Sequence, residues 1–304
     1  MLAIVGPTAV GKTALSIELA QRFDGEIVSA DSRQIYRSMD IGTAKATPAE
    51  QAAAPHHLID VVDPDEELTL AHYRQLATEA IAAIAARGKL PILVGGTGLY
   101  VRALLEGWTV PEVPPRPALR RELTELAVRE GHDALHQRLA AVDPVAAARI
   151  DARNVRRVIR ALEVYEATGE PISSLQRKAP PPYRVLTIGL TMPRPDLYRR
   201  IDDRVDRMIA AGLVAEVQAL LERGYDPVPP AMSGLGYRQI VAFLQGEASL
   251  EEAIALIKRH TRRFVRQQYN WFRLQDPAIR WVDVTQPHHR DEVVAWVGAF
   301  LAAR

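Results

Sequence analysis

The chain has 304 residues, enough for a large core and about two domains. Hydrophobic residues make up 48% and charged residues 25%, an ordinary balance for a globular enzyme, and no apolar run is long enough to cross a bilayer. A net charge of +1 leaves any nucleic-acid contact to local patches, and with no cysteine there are no disulfides or thiolate-held metals, so a cytoplasmic protein is expected.

Leu2–Val5 reads as a buried strand, and residues 14–20 read as a helix. Between them stands Gly6-Pro7-Thr8-Ala9-Val10-Gly11-Lys12-Thr13, the pattern G-x-x-x-x-G-K-[ST] in its strand–loop–helix setting. The glycines let successive backbone N–H groups turn inward, and the helix start adds its positive end. Lys12 brings a point charge to the outer phosphates, and the Thr13 hydroxyl can hold Mg²⁺. A polyphosphate or diphosphate ligand is therefore expected. The motif begins so close to Met1 that no targeting peptide is expected.

Residues 26–30 read as a second strand running into Asp31. In open α/β sheets chemistry gathers at the carboxyl ends of strands, so Asp31 is a candidate base; a helix N-cap is an equal reading. His56 and His57 are adjacent, and neighbours on an extended chain point opposite ways, so a shared metal is disfavoured. Residues 69–87 carry apolar residues at helical spacing and stop at Gly88. The strand 90–94 runs into Gly95-Gly96-Thr97-Gly98, where a ligand can come close and Thr97 offers a hydroxyl; a plain glycine turn is the blander reading.

Prolines at 111, 114, 115 and 117 mark a boundary. A helical insertion is expected over 110–182, dividing an α/β core into 1–109 and 183–304. Within it Arg153, Arg156, Arg157 and Arg160 recur at spacings that share a helix face, either for RNA or as a solvated face paired with Glu163 and Glu166. The core resumes with a strand over 183–191 and a long helix over 194–222 interrupted at Gly212. Residues 233–239 form a loop entering a helix, and residues 250–274 form a basic helix with Phe264, Tyr269, Trp271 and Phe272 interleaved. Such a stripe suits phosphates and stacked bases, or it is amphipathic with its aromatics in the core. A strand over 279–284 and a helix over 291–303 close the chain.

Taken alone, the loop allows a small-molecule or nucleotide kinase using ATP. The ordered set is more specific. Asp31-Ser32-x-Gln34-x-Tyr36, Ile41-Gly42-Thr43-Ala44-Lys45, His57-Leu58-Ile59-Asp60, Gly95-Gly96-Thr97-Gly98-Leu99-Tyr100, Gly236-Tyr237-Arg238-Gln239 and Arg266-Gln267-x-x-x-Trp271-Phe272 together resemble the tRNA dimethylallyltransferase (tRNA isopentenyltransferase) family. The resemblance runs from Val5 to about Arg273. It implies a P-loop NTPase-like parallel sheet flanked by helices, with an all-helical insertion. It implies transfer of a dimethylallyl group from dimethylallyl diphosphate to N6 of the adenosine beside the anticodon, tRNA position 37.

By the same resemblance Asp31 is the general base, Thr97 lies beside the target adenine, and Lys12 and Arg204 stabilise the leaving diphosphate. Gly6, Thr8, Ala9, Val10, Gly11, Lys12 and Thr13 cradle that diphosphate, with Mg²⁺ as cofactor at Thr13. The anticodon stem-loop is met by Asp31, Ser32, Arg33, Gln34, Thr97, Arg120, Arg156, Arg157, Arg160, Gly236, Tyr237, Arg238 and Gln239. The expected partners are tRNA and the prenyl donor, with no membrane, and the chain acts as a monomer. Two departures stand out: Val10 occupies a position where Ser is usual, and Asn154-Val155 replaces Asn-Asp before the arginines.

Overall fold

Alternating βα units build one six-stranded sheet. The computed structural model describes residues 1–109, 111–226 and 231–303. In chain order the elements are β1 (Leu2–Val5), α1 (Lys12–Arg22), β2 (Gly25–Ser29), α2 (Pro48–Ala53), β3 (His56–His57), α3 (Leu70–Ala86), β4 (Leu90–Gly95) and α4 (Gly98–Leu105). Then come α5 (Pro117–Glu130), α6 (His132–Val142), α7 (Pro144–Ala147), α8 (Val155–Thr168) and α9 (Ile172–Leu175). The chain ends with β5 (Leu186–Thr191), α10 (Arg194–Ala210), α11 (Leu213–Glu222), α12 (Tyr237–Leu244), α13 (Leu250–Trp271), β6 (Ile279–Asp283) and α14 (His289–Ala302).

The strands run β3-β2-β4-β1-β5-β6, and every pairing is parallel. A parallel sheet is covered on both faces, which is why its central strands β1 and β4 are continuous apolar runs. Alternate residues feed two cores. Ala3, Val5, Val28 and Leu93 pack on one face with α3, α4, α11 and α12. Leu2, Ile4, Ile27 and Ile92 pack on the other with α1 and α14. The expected long helix over 194–222 is two helices, because Gly212 takes a φ of 100° and turns the chain between α10 and α11.

The chain divides into two compact units, one of Met1–Leu105 with Pro182–Arg304 and one of Glu106–Pro181. The second is all helical. Its core holds Leu123 and Leu126 of α5, Leu135 and Leu139 of α6, and Val158 and Leu162 of α8. A short neck closes it: Thr109 N–H donates to Arg177 O at 2.8 Å and Ala179 N–H to Gly107 O at 2.9 Å. Helix α8 starts at Val155, so Arg153 does not share its face; Arg153 instead pairs with Asp151.

Candidate active site

Strand register brings three loops together. Gly95 lies beside Val5, and Ser29 beside Val94, so β2, β4 and β1 end level with one another. Gly6 follows β1 by one residue, Asp31 follows β2 by two, and Thr97 follows β4 by two. The loops are stitched together: Ala30 N–H donates to Val94 O at 2.7 Å, Thr97 N–H to Ala30 O at 3.2 Å, and Ser32 N–H to Thr97 Oγ1 at 3.0 Å. Nothing larger than glycine fits at 95, where a Cβ would lie 2.1 Å from Ala30 O.

A cavity of about 490 Å³ opens over these tips, lined on the far side by α10 and α13. Thr8, Lys12, Asp31, Thr97 and Arg204 all line it, as do Ser32, Arg33 and Gly236 to Arg238. Ile201, Val205, Met208 and Ile257 form an apolar wall beside the charged groups. Arg120, Arg156, Arg157 and Arg160 belong to the helical unit of residues 106–181.

The phosphate loop is a tight curl. Ala9 has a φ of 65°, a left-handed conformation that a side chain takes only under constraint. Lys12 opens α1 and donates through Nζ to Gly6 O at 3.0 Å and Pro7 O at 2.8 Å. Burial pushes its ammonium down to about 8; Asp31 works against that shift and Arg204 adds to it. Arg204 is held below the usual guanidinium range by the same loss of water, again opposed by Asp31. Among the described residues Arg204 forms no ion pair. Three charges thus line one cavity, and each acts on the others.

Asp31 is not a helix cap. It heads a turn, accepting the Arg33 N–H at 2.9 Å through Oδ1. This leaves its other carboxylate oxygen without a partner among the described residues. Among those residues no three His, Cys, Asp or Glu side chains gather to hold a metal. A Mg²⁺ at the Thr13 hydroxyl would draw its other ligands from a bound diphosphate and water, which is how that ion commonly sits. His56 and His57 do turn apart: His56 Nδ1 meets Ala54 O at 2.8 Å, and His57 Nε2 meets Glu26 Oε2 at 2.7 Å.

A family model described as IPP transferase matches residues 34–275. A tRNA dimethylallyltransferase of Roseiflexus castenholzii is 64% identical over 273 residues, covering 90% of this chain and 89% of that protein. The chain belongs to this family. Solved IPP transferase structures have the same fold. The full-length tRNA isopentenylpyrophosphate transferase of Bacillus halodurans is 43% identical, with a TM-score of 0.72 over 99% of this chain and 95% of that one. A eukaryotic dimethylallyltransferase, solved acting on tRNA, is 29% identical with a TM-score of 0.83, covering 100% of this chain and 80% of that one. The chain is thus an enzyme of the prenyl-transferring kind, and the family supports that reading over the kinase alternative. Among the described residues no helix is long and apolar enough to cross a membrane.

The IPP transferase motifs sort into those that reach the cavity and those that build its walls. Lys45 is buried, and its Nζ donates to Tyr36 O at 2.8 Å and to Asp40 and Asp60, each Oδ1 within 2.6 Å. Gln34 spans the same region, giving its amide to Thr43 O and Ala44 O. Sequence reasoning passed over Glu216. Its carboxylate accepts the N–H groups of Asp40, Ile41 and Gly42 at 2.9, 2.7 and 3.1 Å, and the Tyr237 hydroxyl at 2.6 Å. Burial and Glu216 together push the Tyr237 hydroxyl well up, so it stays a donor. Gln239 accepts the Gly236 N–H and donates to His260 Nδ1 at 3.1 Å, while exposed Arg238 reaches the same nitrogen at 3.4 Å.

The basic helix divides in the same way. On α13, Lys258 pairs with Asp206 and Arg262 with Asp202, both on α10. Arg259, Arg263 and Arg266 face solvent. Phe272 is core, Tyr269 bonds Thr191 Oγ1 at 2.9 Å, and Trp271 packs where a Cβ on Gly98 would stand; only Phe264 is exposed at the cavity. In the helical unit, Glu163 is fully buried and takes a bidentate contact from Arg120 at 2.8 and 2.9 Å, one from Arg160 at 2.7 Å, and the Arg116 N–H at 2.7 Å. Arg120 and Arg160 are therefore engaged inside the unit, whereas Arg156 and Arg157 stand exposed on α8.

Proposed function

We propose that this chain transfers a dimethylallyl group from dimethylallyl diphosphate to N6 of adenosine 37 of tRNA, releasing diphosphate. One observation supports this most: Lys12, Arg204, Asp31 and Thr97 line a single cavity that also has an apolar wall. Such a wall suits a prenyl tail.

In this reading the loop from Gly6 to Thr13 grips the diphosphate with backbone N–H groups other than that of Thr8, which Gln268 takes. The allylic C–O bond breaks with its electron pair going to the diphosphate oxygen. Lys12 and Arg204 meet that charge as it develops, in a site already turned toward it. A Mg²⁺ at Thr13 would supply further neutralisation of the leaving group. The adenine N6 lone pair forms the new C–N bond. It is a weak nucleophile because the ring draws on it, so the N6 proton passes to the free carboxylate oxygen of Asp31. Thr97, tied to Ser32, holds the base edge in place.

The adenosine must leave its stack to enter, at a cost of about a few kcal/mol. Arg33, Arg238 and the exposed arginines of α13 offset part of that by gripping the backbone around it. Arg156 and Arg157, exposed on α8, give the helical unit its own contacts to the RNA backbone. Such an acceptor puts the work in the cytoplasm, where tRNA is found, and one copy of the chain holds every proposed group.

The test is mass analysis of nucleosides from an anticodon stem-loop incubated with this protein, Mg²⁺ and dimethylallyl diphosphate. Prenylated adenosine at position 37 is the expected product. ATP turnover on a small acceptor, with no prenylated nucleoside, would overturn the reading.

A further inference from the structure

One side chain joins the two halves of the cavity. Gln268, on α13, is 3% exposed and lines the cavity floor. Its Oε1 accepts the Thr8 N–H of the phosphate loop at 2.9 Å. Its Nε2 donates to Gly96 O at 3.1 Å, one residue before Thr97. A backbone N–H can only donate and a carbonyl can only accept, so these contacts fix the orientation of the amide. A carboxylate would serve the first partner and repel the second. A thioether would serve neither. The fit also depends on the neighbour: a Cβ on Gly96 would lie 2.3 Å from Nε2. From Thr97 the connection runs on to Ser32 and, through the turn, to Asp31.

We propose that Gln268 is a positioning residue that sets the span between the diphosphate grip and the Asp31–Thr97 pair. This rests on the functional reading above. Gln268 touches neither reacting atom; it fixes how far apart the loops that hold them stand. Its effect therefore falls on the transfer step and not on the capture of either substrate. A misplacement of about 1 Å between reacting groups can cost about 10²-fold in rate.

The experiment compares Gln268→Met, Gln268→Glu and Gly96→Ala with the unaltered chain. It measures the single-turnover rate with both substrates saturating, binding of Mg²⁺-pyrophosphate, binding of the anticodon stem-loop, and the melting temperature. Gln268→Met should transfer about 10- to 100-fold more slowly with both affinities held within about threefold. Gln268→Glu, which keeps the Thr8 contact and opposes Gly96 O, should be at least as slow. Gly96→Ala breaks the same bridge from the other side. It should show the same split, and combining it with Gln268→Met should add nothing further. A rate within about threefold of the unaltered chain, a rate loss matched by a loss of pyrophosphate affinity, or additive effects in the double variant would each overturn the proposal. If Gln268→Met does not fold, Gly96→Ala decides by the same criteria. A different result marks failure of the underlying reading: an unaltered chain that makes no prenylated adenosine and binds pyrophosphate equally well after Lys12→Ala.

Discussion

Two groups of charged side chains in this molecule are built on opposite plans. In the helical unit, Glu163 is saturated: two arginines and a backbone N–H leave its oxygens nothing to do. Lys45 is saturated in the same way by Tyr36, Asp40 and Asp60. In the cavity, Arg204 has no ion-pair partner among the described residues, Lys12 leans on two carbonyls, and Asp31 keeps an oxygen free. Saturated charge holds a shape. Unsaturated charge lining a cavity is ready for a substrate that brings the missing partner.

The contrast breaks most sharply at Asp31. Asp31→Ala should lower single-turnover transfer by about 10²- to 10⁴-fold while pyrophosphate binding holds. Unchanged turnover would remove Asp31 from the reaction. Arg204→Ala comes next, with a loss of about 10²- to 10³-fold in kcat, partly restored by Lys. Equal losses in kcat/KM and in pyrophosphate affinity, with kcat intact, would make it a binding group only.

The saturated cluster should answer in stability instead. Arg120→Ala leaves buried Glu163 short of two hydrogen bonds and should destabilise the helical unit by about 1–3 kcal/mol in denaturant unfolding. Burial works to raise the Glu163 pKa, but the bonds from Arg120, the Arg116 N–H and Arg160 bring it down. Its contribution is thus complete above the ordinary glutamate range and fades as pH falls below it. Arg156→Ala and Arg157→Ala should change stability by no more than about 0.5 kcal/mol. Each should weaken stem-loop binding and lower its salt slope by about one.

The smallest effect is on pH. Burial lowers Lys12 to about 8, so its charge is complete below that value and disappears above it. Donor kcat/KM should fall as pH rises through about 8, and Lys12→Arg should flatten that limb. A limb that persists in Lys12→Arg would assign it elsewhere.

The first strand, loop and helix were readable because all their information lies within a few residues of one another. Asp31 was readable only in part: Asp before Ser serves a helix cap or a strand tip equally, and strand order decides between them. Gln268 and Glu216 left no local mark. Their partners lie 260 and 176 residues away along the chain, at Thr8 and Asp40. The stripe on α13 is legible only in part for the same reason. The stretch from Ala253 to Gln275, which holds no acid, looks free until Asp202 and Asp206 arrive from α10, 60 and 52 residues distant. Arg120 and Arg156 show a further limit, since an arginine on a helix reads alike whether it turns to a buried carboxylate or to water.

The narrow neck of the helical unit has a consequence for how such proteins can change. Its entry and exit strands meet at two backbone hydrogen bonds, between 107 and 179 and between 109 and 177. The whole stretch is therefore closed on itself at one narrow point. Because the unit carries its own core of α5, α6 and α8, it can be lengthened, trimmed or exchanged beyond the neck without altering those two bonds.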